Sequence, residues 1–336
     1  MKALFARTLA LFICLAFCIM AQAQKSSLKA LDIDLGNYQY PFPVSYIHLS
    51  IQGEEIKMAY MDVKPVNPNG HTVMLLHGKN FNGAYWRQTA QVLADSGYRV
   101  VIPDQVGFGK SSKPKKMQYS FQLLAQNTKS VLDTLGITKV CILGHSTGGM
   151  VATRFTLMYP AMVEKFILED PIGLEDYKLK VPYQNVDKWY KRELAQTYDS
   201  LKNYEQTSYY HGTWKPEYDE WLNLQAGWTL NPDYKRIAWN SALIYDMIFT
   251  QPVVYEFENI TAPTLIIVGK LDKSAIGKNF ASDSVKQTMG NFTELGMATQ
   301  DKIQGAKLIE LDGVGHIPHV EVFDKFIQPV LKFLRG

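Results

Sequence analysis

The chain carries one tightly restrained stretch, CILGHSTGGM, at residues 141–150. An apolar run stops at Gly144, and Ser146 then stands between glycines, with Gly148 two residues later. A strand that turns sharply into a helix crowds the residue at the turn, so its neighbours two before and two after must be small. The pattern therefore predicts a strand–turn–helix unit that presents the Ser146 hydroxyl at a helix N-terminus.

Apolar runs alternate with helical patterns on both sides of that stretch. An antiparallel pair is predicted first, and further strands are then predicted at TVMLLHG, YRVVIPD, KVCILG, VEKFILED, PTLIIVG and AKLIELDG. Ser120 is a candidate N-cap for one intervening helix, and an amphipathic helix is expected from about Val320 to Leu334. Such alternation predicts an α/β fold: a mostly parallel sheet covered by helices on both faces.

The alternation stops between about Gly173 and Ile260, where Tyr and Trp become frequent. The simplest organisation is one α/β domain, residues 24–172 and 261–336, interrupted by a mainly helical insertion at residues 173–260. Aromatic residues at helical spacing are expected mostly in a small core of this insertion. Their apolar faces and polar groups would also suit a moderately apolar substrate.

The N-terminus has the pattern of a secretory signal peptide at residues 1–23. Lys2 and Arg7 precede an apolar stretch, and Ala21-Gln22-Ala23 follows it. We therefore expect export, to the periplasm or the medium. An uncleaved membrane anchor is the alternative, although the stretch is short for a membrane span. Cleavage would leave Cys141 without another cysteine, so the mature chain would form no intramolecular disulfide.

Composition and motifs exclude several classes of function. The formal net charge is +3, with no long run of one sign, so nucleic acid is not an expected partner. Asp104 stands where a phosphate-binding loop needs glycine, and no zinc-ligand spacing is present. We expect a small-molecule substrate, no cofactor, no metal and no stable membrane insertion after cleavage. The oligomeric state is left open.

A serine hydroxyl needs a base to become a nucleophile. His316 lies in LDGVGHIPHVE, after the last predicted strand, in a loop that reaches the same sheet edge as Ser146. His319 is the rival in that loop. We favour His316 because Gly313 and Gly315 leave room for its side chain to approach the site.

The base in turn needs a carboxylate that orients it. Asp272 follows the strand of PTLIIVG, which gives the chain order Ser, Asp, His. Glu169 and Asp170 are the alternative, since they end the strand after the serine helix.

Acyl transfer also needs donors for the developing oxyanion. The backbone N–H of Thr147, at the helix start, is one candidate. The other is the N–H of Lys79, in the loop after the first predicted parallel strand, with Asn80 next. Backbone groups would do this work, so the chemistry does not require the lysine side chain. We expect the Lys79 ammonium to face solvent, and contact with an anionic substrate is the alternative.

Five ordered motifs resemble those of the α/β-hydrolase superfamily. They are His77-Gly78, Asp104-x-x-Gly107-x-Gly109-x-Ser111, Gly144-His145-Ser146-Thr147-Gly148, Gly269-x-x-Asp272 and Gly315-His316-x-Pro318-His319. The resemblance implies an α/β-hydrolase fold with a serine nucleophile, and a helical cap domain at the insertion. It also implies that Asp104 shapes the loop after its strand.

The main functional hypothesis is an exported serine hydrolase that cleaves a carboxylic ester through an acyl-enzyme, resembling carboxylesterases. Alternatives are an aminopeptidase, amidase or acyltransferase with the same triad, and a non-catalytic receptor for a small ligand. An acidic pocket for an amine substrate could come from Glu169, Asp170, Glu175 and Asp176. A carbon–carbon bond hydrolase is a further alternative. Those enzymes usually have a Gly-rich stretch after His-Gly, where this chain has Lys79-Asn80-Phe81-Asn82.

Overall fold

The structure is a computed structural model that describes residues 28–336. The predicted signal peptide lies outside these residues. None of the helices in residues 28–336 combines the length and the apolar character that crossing a bilayer requires.

Strands and helices alternate along most of the described chain. The strands are β1 (Val44–Ile51), β2 (Glu54–Val63), β3 (Thr72–Leu76), β4 (Arg99–Pro103), β5 (Val140–His145), β6 (Val163–Glu169), β7 (Thr264–Gly269) and β8 (Lys307–Leu311). The helices are α1 (Arg87–Asp95), α2 (Phe121–Thr134), α3 (Thr147–Met158), α4 (Val186–Leu194), α5 (Tyr198–Ser208), α6 (Asp219–Thr229), α7 (Tyr234–Thr250), α8 (Asp283–Lys286), α9 (Phe292–Lys302), α10 (Pro318–Glu321) and α11 (Phe323–Arg335).

The strands form one sheet in the order β1-β2-β4-β3-β5-β6-β7-β8. β2 pairs antiparallel with β1 and β4, and the pairs from β4 through β8 are parallel. The order reverses at β3, since β4 lies on one side of it and β5 on the other. In open α/β sheets, ligands bind beyond the carboxyl ends of the strands at such a switch point. The loops after β3 and β5 meet there.

Local sequence explains two of the boundaries. A two-residue turn joins β1 to β2, and both Gln52 (φ 52°) and Gly53 (φ 80°) have positive φ, as hairpin turns of matching twist require. The Ser120 side chain accepts a hydrogen bond from the Leu123 amide, 3.1 Å away, so it caps α2 as predicted. The C-terminal helix begins at Phe323, later than expected, because the chain leaves helical geometry at Val322 (φ −146°).

The core lies on both faces of the sheet. Successive residues of β3 alternate between two apolar clusters: Val73 and Leu75 belong to one, Met74 and Leu76 to the other. This is the period of two that a strand imposes on its side chains. Burial on both faces explains why the parallel strands β3, β5 and β7 are mostly apolar.

Residues 173–260 lie between β6 and β7, and we call them the cap segment. They contain α4–α7 and short 3-10 turns. The chain start packs against them: Leu31 N–H donates to Gly227 O at 3.1 Å, and Trp228 Nε1–H donates to Asp32 O at 2.9 Å. A Cβ at Gly227 would lie 2.7 Å from the Lys29 carbonyl oxygen, so this approach requires glycine.

Asp104 organises the loop after β4. It is buried, its Oδ1 accepts from Gly83 N–H at 2.7 Å, and its Oδ2 accepts from Lys110 N–H and Tyr40 Oη–H, each at 2.7 Å. Three donors compensate the loss of hydration around the carboxylate. In the same loop the buried Lys113 Nζ donates to the carbonyls of Phe108, Gly109 and Ser111.

We expect Lys113→Met to lower the free energy of unfolding by about 3 kcal/mol, because buried carbonyls would lose their donor. Urea denaturation of the purified variant measures this. The matched control is Lys116→Met, since Lys116 is exposed in the same loop; its effect should stay within about 0.5 kcal/mol. Equal stability of the two variants would contradict the assignment.

Candidate active site

Ser146 occupies a strained turn between β5 and α3. Its φ of 54° and ψ of −122° are unusual for a residue with a side chain, and such strain costs on the order of 1–3 kcal/mol. A Cβ at Gly144 would overlap Gly148 O, and a Cβ at Gly148 would overlap Leu76 O. The Ser146 amide donates to Glu169 O at 3.1 Å, which ties the turn to β6. The flanking glycines are therefore needed because backbone approaches backbone on both sides of the serine.

His316 and Asp272 form a buried contact beside this turn. His316 Nδ1 lies 2.6 Å from Asp272 Oδ2, and Asp272 Oδ1 accepts from the Ser274 amide at 2.7 Å. Nδ1–H donates to the carboxylate, which leaves Nε2 as the proton-accepting nitrogen. The imidazole lies against His145, the neighbour of Ser146, with ring centroids 4.9 Å apart. Within residues 28–336 no hydrogen bond joins Ser146 Oγ to His316; such bonds are often long before substrate binds.

The rival residues form a second buried pair. His319 Nδ1 lies 2.9 Å from Glu169 Oε1, which also accepts from the His319 amide at 2.8 Å. The His319 ring stacks on Trp86, with centroids 4.2 Å apart. Of the two candidate carboxylates, Asp272 contacts His316 and Glu169 contacts His319.

Asp170, the other alternative, lies between these pairs. Its Oδ1 accepts from the Gly269 amide at 2.9 Å, and its backbone has a positive φ of 36°. Burial, and then the negative charge of Asp272, raise the pKa of Asp170 well above its ordinary range. Both causes favour the protonated form of Asp170.

A buried hydrogen-bond chain connects the loop after β3 to the His316 loop. Gly78 N–H donates to Tyr85 Oη at 2.9 Å, so the Tyr85 proton goes to His145 Nδ1, also 2.9 Å away. His145 Nε2–H then donates to His316 O at 2.7 Å. Burial, then electrostatic interaction with the neighbouring His316 and His319 side chains, lower the pKa of His145 well below its ordinary value. A neutral ring in one tautomer is what this chain requires.

From the sequence, His145 has no predicted role beyond its place in the serine motif, and Tyr85 is not singled out. The position of His145 inside the serine turn was the available signal for its proximity to the site. Nothing in the spacing of Tyr85 indicated its contact, which depends on how the chain folds back after β3.

The nominated amides lie on two sides of Ser146. Thr147 is the first residue of α3, so its amide has no acceptor one turn earlier in the helix. The loop that carries Lys79 passes close to the serine, since a Cβ at Gly78 would lie 3.1 Å from Ser146 Cβ. Neither amide donates in the turn and loop hydrogen bonds of residues 28–336.

A cavity of about 510 Å³ lies between the cap segment and the core. Its lining includes Lys79 and Asn80 from the loop after β3 and Ser274 beside Asp272, but not Ser146 or His316 themselves. The aromatic residues of the cap segment divide between two environments. Those that line the cavity are Trp189, Tyr204, Trp228, Tyr234 and Tyr245; others, such as Tyr210, Tyr218 and Trp221, pack in the core.

The Lys79 side chain is buried, whereas we expected it to face solvent. Its Nζ donates to Ser241 Oγ at 2.7 Å and lies 3.7 Å from the centroid of the Tyr245 ring. Glu193 Oε2 is 3.9 Å away and accepts from Ser241 Oγ at 2.6 Å. Burial lowers the pKa of the Lys79 ammonium, and the Glu193 charge opposes this. The cavity therefore has a buried cation next to a nominated oxyanion donor.

The charges of the cavity are mostly positive. Four basic side chains line it, Lys79, Arg192, Lys273 and Lys278, against one acidic side chain, Glu193. A small anionic ligand would be attracted here, since low-dielectric walls strengthen charge interactions.

The acidic pocket considered for an amine substrate does not form. Glu175 pairs with Lys180 at 2.7 Å, and Asp176 accepts from Tyr255 Oη–H at 2.8 Å. Neither these two residues nor Glu169 and Asp170 line the cavity. No group of three side chains in residues 28–336 is arranged to hold a metal ion.

Comparisons with known proteins agree with this architecture. The sequence model of the family described as "alpha/beta hydrolase fold" matches residues 71–321. The crystal structure of a probable hydrolytic enzyme from Pseudomonas aeruginosa PAO1 has a TM-score of 0.91 and 46% identity, covering 92% of this chain and 99% of that one. An enol-lactonase from Burkholderia xenovorans LB400 shares the fold, with a TM-score of 0.64 and 19% identity over 86% of this chain and 100% of its own.

Two curated relatives carry more specific names. A 2-hydroxy-6-oxononadienedioate/2-hydroxy-6-oxononatrienedioate hydrolase from Paraburkholderia phymatum is 34% identical over 126 residues, which cover 37% of this chain and 43% of that protein. A 2-hydroxy-6-oxo-6-phenylhexa-2,4-dienoate hydrolase from Comamonas testosteroni is 29% identical over 148 residues, 43% of this chain and 52% of that protein. The chain thus matches about half of each relative or less. The family match and the near full-length structural match confirm the predicted fold class, and the chain belongs to the α/β-hydrolase family.

Proposed function

We propose that the protein is a serine hydrolase that cleaves a carbon–carbon bond next to a ketone in a small, carboxylate-bearing substrate. The observation that carries the hydrolase assignment is the buried 2.6 Å contact of His316 with Asp272, beside the strained turn of Ser146. A base oriented by a carboxylate, close to a hydroxyl at a helix N-terminus, is the arrangement that activates serine.

In the proposed reaction, Ser146 Oγ attacks the ketone carbon while His316 Nε2 takes its proton. The amides of Lys79 and Thr147 stabilise the oxyanion. The carbon–carbon bond then breaks, and its electron pair stays on the departing carbon, which receives the proton from His316. Water, deprotonated by His316, hydrolyses the acyl-enzyme. The acyl fragment gains hydroxyl, the departing fragment gains hydrogen, and Ser146 is regenerated.

Two observations support this substrate class over an ester. Both curated relatives are named as hydrolases of 2-hydroxy-6-oxo acids, which are carboxylates. A carbon leaving group also needs its electron pair delocalised into a conjugated acid or carbonyl group, and the excess of basic side chains in the cavity favours such anionic fragments.

Ester hydrolysis is the second candidate, and one observation favours it. The loop after β3 reads Lys79-Asn80-Phe81-Asn82 in place of the Gly-rich stretch usual in carbon–carbon bond hydrolases of this fold. The same nucleophile, base and oxyanion donors would cleave an ester, because the acyl-enzyme step is shared.

A fluorophosphonate probe should label Ser146 in the folded protein, because only an activated serine attacks it rapidly. Mass spectrometry locates the label, and Ser146→Ala should abolish it, whereas Ser130→Ala on the surface of α2 should not. Turnover is then compared on a 2-hydroxy-6-oxo-dienoate and on p-nitrophenyl esters. Absence of labelling in folded protein would refute the serine mechanism, and preference for the esters would select the second candidate.

Asp272→Asn should lower kcat about 10³- to 10⁴-fold, because the amide no longer holds the imidazole in the productive tautomer. Glu169→Gln should lower kcat less than about 10-fold while reducing the melting temperature, since it weakens the buried pair with His319. Steady-state kinetics and thermal unfolding of both variants measure this. A larger kinetic loss in Glu169→Gln would assign the acid to Glu169.

Lys79→Met should raise KM for a carboxylate substrate about 10-fold or more and change KM for its neutral methyl ester little. The variant removes a buried cation from the cavity and leaves the backbone amide in place. Lys270→Met is the control, because Lys270 pairs with Asp312 and does not line the cavity. Equal effects on the charged and neutral substrates would show that Lys79 does not bind the acid group.

A further inference from the structure

Tyr209 follows α5 in the cap segment and contacts His316 twice. Its ring stacks on the imidazole, with centroids 4.8 Å apart and 27° between the planes. The His316 amide donates to Tyr209 O at 2.8 Å. Aromatic contacts of this kind restrict the orientation of both rings.

The close approach of Tyr209 depends on the residue before the histidine. A Cβ at Gly315 would overlap the Tyr209 carbonyl oxygen, so only glycine permits this hydrogen bond. Tyr209 is 5% exposed, and its ring also packs edge-on against Tyr204 at 5.2 Å. The contact between the cap segment and the His316 loop is therefore tightly packed.

The hydroxyl of Tyr209 reaches the loop after β3. Asn80 Nδ2–H donates to Tyr209 Oη at 2.8 Å, and Asn80 directly follows Lys79. One side chain thus contacts both the proposed base and the loop that carries a proposed oxyanion amide. Tyr209 itself does not line the cavity.

We propose that Tyr209 is a positioning residue through which the cap segment aligns His316 with the loop of Lys79. The proposal rests on the proposed function of Ser146 and His316. Its ring fixes the plane of the imidazole, and its hydroxyl fixes Asn80, so the site is aligned only when the cap segment is packed in place. A misplacement of about 1 Å in such a site costs about 100-fold in rate.

The test separates the ring from the hydroxyl. Tyr209→Phe keeps the stacked ring and should slow fluorophosphonate labelling of Ser146 about 3- to 10-fold, whereas Tyr209→Leu should slow it about 100-fold. Asn80→Ala should slow labelling no more than Tyr209→Phe, because the Tyr209 hydroxyl also hydrogen-bonds Tyr204. The double variant should be no slower than Tyr209→Phe alone, as groups that share a contact require. In turnover, kcat should fall with KM nearly unchanged, because Tyr209 does not touch the cavity.

The control is Tyr190→Leu, which removes an edge-on contact with Trp239 elsewhere in the cap segment. Its labelling rate should equal that of the unaltered protein. Thermal unfolding identifies any variant that fails to fold, and rescue by Phe relative to Leu remains informative if both variants are destabilised alike.

An activity-independent measurement separates failure of this proposal from failure of the proposed function. The proton between His316 and Asp272 should give a far-downfield NMR signal, absent from His316→Gln, present in Tyr209→Phe and lost or broadened in Tyr209→Leu. If the unaltered protein resists labelling but the signal behaves so, the proposed function fails, and the result shows only that Tyr209 orients the imidazole of His316. Equal labelling of Tyr209→Leu and the unaltered protein overturns the positioning role, and absence of both label and signal overturns both.

Discussion

The site depends on the strained backbone at Ser146. Its unfavourable φ is stabilised by the hydrogen bond to Glu169 O and by α3, which starts at the next residue. The absent side chains of Gly144 and Gly148 allow β5, α3 and β3 to approach within backbone contact. The sheet order then matters, because β3 and β5 are neighbours and their following loops meet beside the serine. The proposed nucleophile is thus part of the packing of the sheet.

Around the serine, three carboxyl side chains and three imidazole side chains are buried close together. Two pairs form, Asp272 with His316 and Glu169 with His319, and each places a donor on a carboxylate. The remaining two groups favour neutral forms: burial raises the pKa of Asp170 and lowers that of His145. Burying charge is costly unless it is paired, so this division lets six such groups pack together. The neutral His145 also links Tyr85 to the backbone of His316 through two hydrogen bonds, so the loop after β3 and the His316 loop are held in fixed relative positions.

Much of this architecture could be predicted because it follows from local rules. Parallel strands buried on both faces give continuous apolar runs, and the chemistry lies in the loops that follow their carboxyl ends, so the placement of Asp272 and His316 follows from strand order. Other features depend on long-range packing. The inward direction of Lys79 depends on Ser241 and Glu193, far along the chain. No periodic pattern in the sequence predicts the contacts of Tyr85 and Tyr209. The helix break at Val322 depends on local backbone geometry, which hydrophobic periodicity does not encode.

The start of the described chain packs against a helix of the cap segment that contributes to the wall of the cavity. Residues 29–32 pack against α6 and form hydrogen bonds with it, and Trp228 of this helix also lines the cavity. Further along the chain, Tyr40 Oη–H donates a hydrogen bond to Asp104 in the core. The N-terminal residues of the described chain therefore contact both the cap segment and the loop after β4. Trimming the N-terminus beyond Asp32 would remove contacts to one wall of the cavity, so these few residues contribute to the shape of the cavity as well as to the fold.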